Sequence, residues 1–141
     1  FGLAQLEKLQ KNIETRQSNF KQQCDFFNKH SNYFTNPQET LDCETAWLAF
    51  PLLINESAPF TRKEFQIFLE NRKIQTRVVF TGNILPQPMC RNIEKKVLKQ
   101  GYPNADRVMA QGVLLPLHHG MTESMFARFQ ATVQEFVDQY G

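Results

Sequence analysis

The chain has 141 residues, a size at which one domain buries a sizeable core. It is 41% hydrophobic and 21% charged with a formal net charge of +2, so a disordered composition is excluded and no basic stripe offers itself to nucleic acid. No apolar run approaches the roughly 20 residues that span a bilayer, and no charged segment leading into an apolar one has the form of a secretory leader.

The first segment, "LAQLEKLQKNIETRQSNFKQQCDFFNKH", repeats Leu6, Leu9, Ile13, Phe20, Cys24 and Phe27 at steps of three, four and seven. That spacing predicts one apolar stripe on a long amphipathic helix over residues 1–30. Its length would be roughly 40 Å, at a rise of about 1.5 Å per residue. It begins without a capping residue, as the interior of a helix does, which raises the expectation of a further segment before it. "SNYFTNPQETLDCET" reads as a polar connector. "AWLAFPLLI", Ala46 to Ile54, predicts a largely buried strand, with Pro51 arguing for an edge position or a bulge.

Thr61 and Glu64 then form a capping box, with Phe60 at the staple position and Phe65, Phe68 and Leu69 on one helix face. A second strand, Ile74 to Phe80, puts Ile74, Thr76, Val78 and Phe80 on one side and Gln75, Arg77 and Val79 on the other. It ends in Thr81-Gly82-Asn83 and a loop stiffened by Pro86 and Pro88. "PNADRVMAQ" predicts a short helix capped by Asn104, and "GVLLPLH" a third strand from Gly112 to His118. Thr122 caps the last helix, where Phe126, Phe129, Val133 and Phe136 recur at helical spacing. Three short strands beside four helices predict an α+β, two-layer domain over residues 31–141.

Candidate functional residues are few. Arg77, near a strand end, can present its planar fork to a carboxylate, a phosphate or a sugar hydroxyl, or make a surface ion pair. Gly82-Asn83 reads either as a ligand-facing turn or as a plain one. Arg107 faces a cleft or pairs with Asp106. His118 and His119 are neighbours on a strand end and point apart, which argues against a joint role. Trp47 and Phe50 read as packing residues that can also stack on a planar cofactor. Cys24, Cys43 and Cys90 are odd in number and far apart, which suits a reducing cytoplasm and lacks metal-ligand spacing. The chain holds no complete catalytic constellation.

Several stretches in order carry a resemblance: "LAQLEKL", "ETAWLAFPLLI", "APFTRKEFQIFLENRKIQTRVVFTGNILPQP", "PNADRVM" and "GMTESMFARFQATVQEFV". Together they resemble the C-terminal part of the DegT/DnrJ/EryC1/StrS sugar aminotransferase family of fold-type-I pyridoxal phosphate enzymes. The strand that continues "TRVVFTGNILPQP", where aminotransferases carry a "TR-x-HY" loop, is similar to the dehydratase branch, which acts on CDP-linked 4-keto-6-deoxyhexoses in lipopolysaccharide biosynthesis. The resemblance implies a large cofactor-binding domain upstream, with the first helix as the connector. It implies pyridoxamine or pyridoxal phosphate and a 2Fe–2S cluster, all held upstream, a homodimer, and a reductase partner for the whole enzyme.

Within this chain the resemblance implies that Phe50 lies near cofactor and sugar. It implies that Arg107 reaches the active site, and that Arg77, Phe80, Gly82 and Asn83 form the substrate-side strand and turn. No catalytic residue and no metal ligand falls on this stretch, and the fragment alone is expected to be inactive. Two other readings stay open. One is a sugar aminotransferase of the same family, marked by an upstream lysine in place of histidine. The other is a free-standing, non-enzymatic binding or assembly module.

Overall fold

A computed structural model describes residues 2–141. Helix α1 runs Gly2–Asn28, followed by strands β1 (Phe34–Thr35) and β2 (Phe50–Ile54) and helix α2 (Arg62–Asn71). Strand β3 (Arg77–Val78), helix α3 (Pro103–Gln111), strand β4 (Gly112–Leu115) and helix α4 (Glu123–Val137) complete the chain. The four strands form one antiparallel sheet in the order β1-β2-β4-β3. The fold is α+β, as the pattern of elements predicts.

Register decides what each strand residue faces. Phe50 lies opposite Leu115, and Leu52 opposite Val113; Pro51 lies opposite Leu114, and Leu114 opposite Arg77 on its other side. Residues directly opposite share a face, and neighbours along a strand alternate. One face therefore carries Phe34, Phe50, Leu52, Ile54, Val113 and Leu115, all buried. The other carries Pro51, Leu114 and Arg77.

The buried face meets the second half of α1 and the inward faces of α2 and α4. Phe27 stacks on Phe50 with centroids 5.5 Å apart, Phe65 packs on Phe34 and Phe136, and Phe60 meets Phe136 edge-on at 4.7 Å. Ten of the thirteen phenylalanines are buried, so burial of rings supplies most of the driving force. Two buried amides of α1 tie down the segment after β4: Asn19 Nδ2 donates to the His118 carbonyl at 2.9 Å, and Gln23 Nε2 to the Pro116 carbonyl at 2.8 Å.

The structure departs from the expectations in five places. The stripe of α1 packs only in its second half; Leu6 and Leu9 are exposed. The polar connector contains β1, two residues that pair with Leu53 and Ile54. The three predicted strands are shorter than read, because Pro116 ends β4 and the chain turns sharply after Val78. Strand β2 is internal to the sheet, not at its edge. Pro51 is tolerated because β1 reaches only Leu53 and Ile54, which leaves the Pro51 side without a ladder partner. Finally, Asn104 is not a cap. Pro103 starts α3 after Tyr102, since its fixed φ and missing N–H suit the first helical position.

The capping box holds as read. Thr61 Oγ1 accepts from the Glu64 amide at 3.3 Å, and the Thr61 amide donates to Glu64 Oε2 at 2.7 Å. Donation from the Thr61 amide, and then from its hydroxyl, to Glu64 Oε2 holds the Glu64 carboxyl below its ordinary range. Phe60 and Phe65 close the staple beneath. Thr61→Ala is expected to cost about 1 kcal/mol in urea unfolding, with Thr61→Ser recovering most of it; no loss would mean that packing alone fixes this helix start. Thr122 caps α4 in the same way, accepting from the Met125 amide.

Candidate functional site

The exposed sheet face continues past the ends of the strands. Ala49, Gln75, Arg77, Leu114, Pro116 and His118 share its parity and line an open groove of about 360 Å³. Its floor is apolar and its rim holds a guanidinium, an amide and an imidazole. That combination gives orientation through a few polar groups over an apolar contact. Arg77 is exposed and has no salt bridge among the described residues, so its fork is not committed to an ion pair there.

Beyond Val78 the chain turns back on itself. Phe80 adopts φ 47° with its ring 85% exposed, and Gly82 follows at φ 61°. Gly82 lies so close to α3 that an added Cβ would stand 2.5 Å from the Met109 Cα. Asn83 is buried: its Nδ2 donates to Asp106 Oδ1 at 2.6 Å, and its Oδ1 accepts from the Leu85 amide at 3.0 Å. The turn is thus clamped to α3, the helix that carries Arg107. Arg107 does not pair with Asp106; its Nε donates to Gln111 Oε1 at 3.0 Å, and the side chain is exposed.

The structure therefore joins the segment of Arg77, Phe80, Gly82 and Asn83 to the helix of Arg107. Phe50 is not on this face. It is fully buried on the other side of the sheet, stacked on Phe27. Trp47 stacks flat on Phe20 at 4.7 Å and donates to Glu39 at 2.9 Å.

The sequence profile of the DegT/DnrJ/EryC1/StrS aminotransferase family matches residues 1–134. The chain belongs to this family. It is 30% identical over 135 residues to the lipopolysaccharide biosynthesis protein RfbH of Salmonella typhimurium, covering 96% of this chain and 31% of that protein. It is 38% identical over 84 residues to a GDP-4-keto-6-deoxy-D-mannose 3-dehydratase of Yersinia pseudotuberculosis, covering 60% of this chain and 21% of the relative. Among solved structures it superposes on the E. coli GDP-4-keto-6-deoxy-D-mannose-3-dehydratase with bound hydrated PLP, with a TM-score of 0.79 and 25% identity, over 94% of this chain and 33% of that one. The match thus spans about a fifth to a third of the length of these relatives. It corresponds to the C-terminal portion of the DegT family fold.

A pyridoxal phosphate site needs a partner for the pyridinium nitrogen, commonly a carboxylate. The groove beside Arg77 is lined by no Asp or Glu among the described residues. These residues do not make a cofactor site by themselves, and no step of the reaction is assigned to them.

Nor does any group of three His, Cys, Asp or Glu among the described residues stand ready to hold a metal. Burial, with Asp25 and Glu39 nearby, pushes the Cys24 thiol up to about 11, away from the thiolate that metal ligation and redox chemistry require.

No local pattern marks Gln75 and His118 together as members of this face. Strand alternation put Gln75 beside Arg77, which was a usable signal. His118 reaches the groove because α1 holds the carbonyls of Pro116 and His118. The adjacent His119 diverges, 3.5 Å from Arg16.

Proposed function

We propose that the chain is the C-terminal part of a pyridoxamine-phosphate-dependent nucleotide-sugar 3-dehydratase. It would act on a CDP-linked 4-keto-6-deoxyhexose in lipopolysaccharide deoxysugar synthesis. The observation that carries this reading is the match to proteins named as 3-dehydratases acting on nucleotide-linked sugars. In this proposal Arg77 and the turn at Phe80, Gly82 and Asn83 form one wall of the substrate cleft, with Arg107 on the adjoining helix and Phe50 packing the sheet from behind. The guanidiniums face the diphosphate or the sugar hydroxyls, and the clamped turn holds the wall in shape. The cofactor, when bound, supplies the electron sink for loss of the C3 hydroxyl. The histidine that accepts the proton, the 2Fe–2S cluster, the homodimer contacts and the docking of a reductase partner are assigned to the remaining length of the enzyme, in the cytoplasm.

The test is to clone the reading frame that contains this chain, read the residue at the cofactor-lysine position, and assay the product. Histidine there, with loss of the C3 hydroxyl from the CDP-linked 4-keto sugar, is the expected result. Replacing Arg77 or Arg107 by alanine in that enzyme is expected to raise KM about tenfold or more, the usual weight of a hydrogen bond to a charged group. Lysine at that position with amino transfer from glutamate would replace the proposal by the aminotransferase reading. A reading frame opening next to Phe1 would leave a binding module.

A further inference from the structure

A second groove lies on the far side of the Gln75–Pro116–His118 row. It measures about 200 Å³ and is lined by Lys73, Gln75, His118 and Arg128 together with Met125 and Phe129. We propose that it binds a small organic oxyanion, a phosphate monoester carried on an apolar body. It shares Gln75, Pro116 and His118 with the groove beside Arg77 but does not touch the Gly82 turn, and it is argued independently of the dehydratase reading.

Three observations carry the proposal. The first is charge: two cationic side chains and an imidazole line the groove, and no Asp or Glu does so among the described residues. The acids nearby are engaged elsewhere. Glu70 accepts from the Thr76 amide and hydroxyl, and Glu135 accepts from Arg72.

The second is the backbone at Lys73. Helix α2 ends in a Schellman motif: the Lys73 amide donates to the Glu70 carbonyl at 2.9 Å, and the Ile74 amide to the Leu69 carbonyl at 3.0 Å. The motif requires a left-handed residue after the cap, and glycine fills it without strain. Here Lys73 occupies it at φ 61°. A cationic side chain thus stands on the groove wall at a backbone position that glycine would fill with less strain. A left-handed non-glycine residue carries backbone strain, so Lys73→Gly separates the backbone's effect on stability from the ammonium's effect on binding.

The third is the set of donors. The Gly120 amide donates to His118 Nδ1 at 3.1 Å, which makes Nδ1 an acceptor and leaves the proton on Nε2. Arg128 is steadied by donating from one Nη to the Arg72 carbonyl at 2.6 Å, with its other N–H groups unbonded among the described residues. Lys73 adds an ammonium with no partner among the described residues. An oxyanion accepting from a guanidinium and an ammonium forms the stronger, charge-assisted class of hydrogen bond. Beside them, buried Phe129 and the half-exposed, adaptable thioether of Met125 offer contact to an apolar body.

The experiment titrates the 141-residue chain with phenyl phosphate and follows its backbone amides by two-dimensional NMR. Inorganic phosphate and benzyl alcohol serve as the two half-probes. Saturable shifts at Lys73, Gln75, His118, Met125 and Arg128 are expected. Phenyl phosphate should bind at least tenfold more tightly than either half, and more weakly as salt rises. Lys73→Gly is the decisive variant, because it relieves the backbone strain and removes the ammonium together. It should raise the melting temperature and weaken phenyl phosphate at least tenfold, a combination that damage to the fold cannot produce. The proposal is overturned by an absence of saturable shifts, by shifts centred on the basic loop from Arg91 to Lys99, by benzyl alcohol binding as well as phenyl phosphate, or by Lys73→Gly binding within threefold of the parent.

Discussion

Phe65→Ala is expected to destabilise the chain by about 4 kcal/mol, within the range of large-to-small changes in well-packed cores. Phe65 has no exposed surface. Its ring meets Phe34 at 5.3 Å, Phe136 at 5.2 Å and Phe60 at 6.4 Å, so one side chain joins β1, α4 and the staple that sets the start of α2. Truncation removes ring burial and leaves a cavity. The surrounding rings cannot fill it easily, because each is held by others in the cluster. Ile67 lies on the outer face of the same helix and is half-exposed. Ile67→Ala should cost less than about 1 kcal/mol, and it controls for helix propensity. Urea unfolding of both variants measures the difference. Equal losses would mean that the aromatic cluster does not hold α2 in place.

Gly82→Ala is expected to cost about 3 kcal/mol, combining left-handed strain with a steric clash at α3. The backbone there has φ 61°, and an added Cβ would stand 2.3 Å from the Met109 Cβ, 2.5 Å from its Cα and 2.7 Å from its nitrogen. Two of those three atoms are backbone and cannot swing away. Either the turn leaves α3, which breaks the Asn83–Asp106 bond, or α3 moves from the sheet. Gly101 separates the two contributions. It too has positive φ, 68°, yet nothing lies within 4 Å of its added Cβ. Gly101→Ala should therefore cost only about 1 kcal/mol, the left-handed contribution alone. The difference between the two alanines, read from urea midpoints at unchanged slope, measures the approach of the turn to α3. If the two variants matched, Gly82 would be an ordinary turn glycine, and the turn would not be clamped.

That contrast also bears on the wall proposed for the substrate. The glycine-asparagine turn suggested close approach to a ligand. Within this chain the close approach is to Met109, and the Asn83 amide is used on Asp106 and Leu85. The turn's contribution is rigidity. Of the residues proposed for that wall, Arg77, Phe80 and Arg107 keep exposed side chains.

The sequence by itself determined what short-range physics can determine. Thr61, Glu64, Phe60 and Phe65 lie within six residues, and their box and staple use no partner outside that stretch. Thr122 caps α4 for the same reason, and helical spacing marks the buried faces of α2 and α4. The order of residues also carried the family resemblance. Only the tertiary structure decided the rest. Two residues of β1 have no periodicity to read, and they are a strand only because β2 lies beside them. Phe50 and Arg77 fall on opposite faces because Leu115 pairs with one and Leu114 with the other, a register that no local pattern records. Asn83 meets Asp106 across 23 positions, and Gln23 reaches Pro116 across 93. Contacts at such separations depend on how the whole chain closes, so their partners are fixed by the packed sheet and helices together and not by the residues next to them.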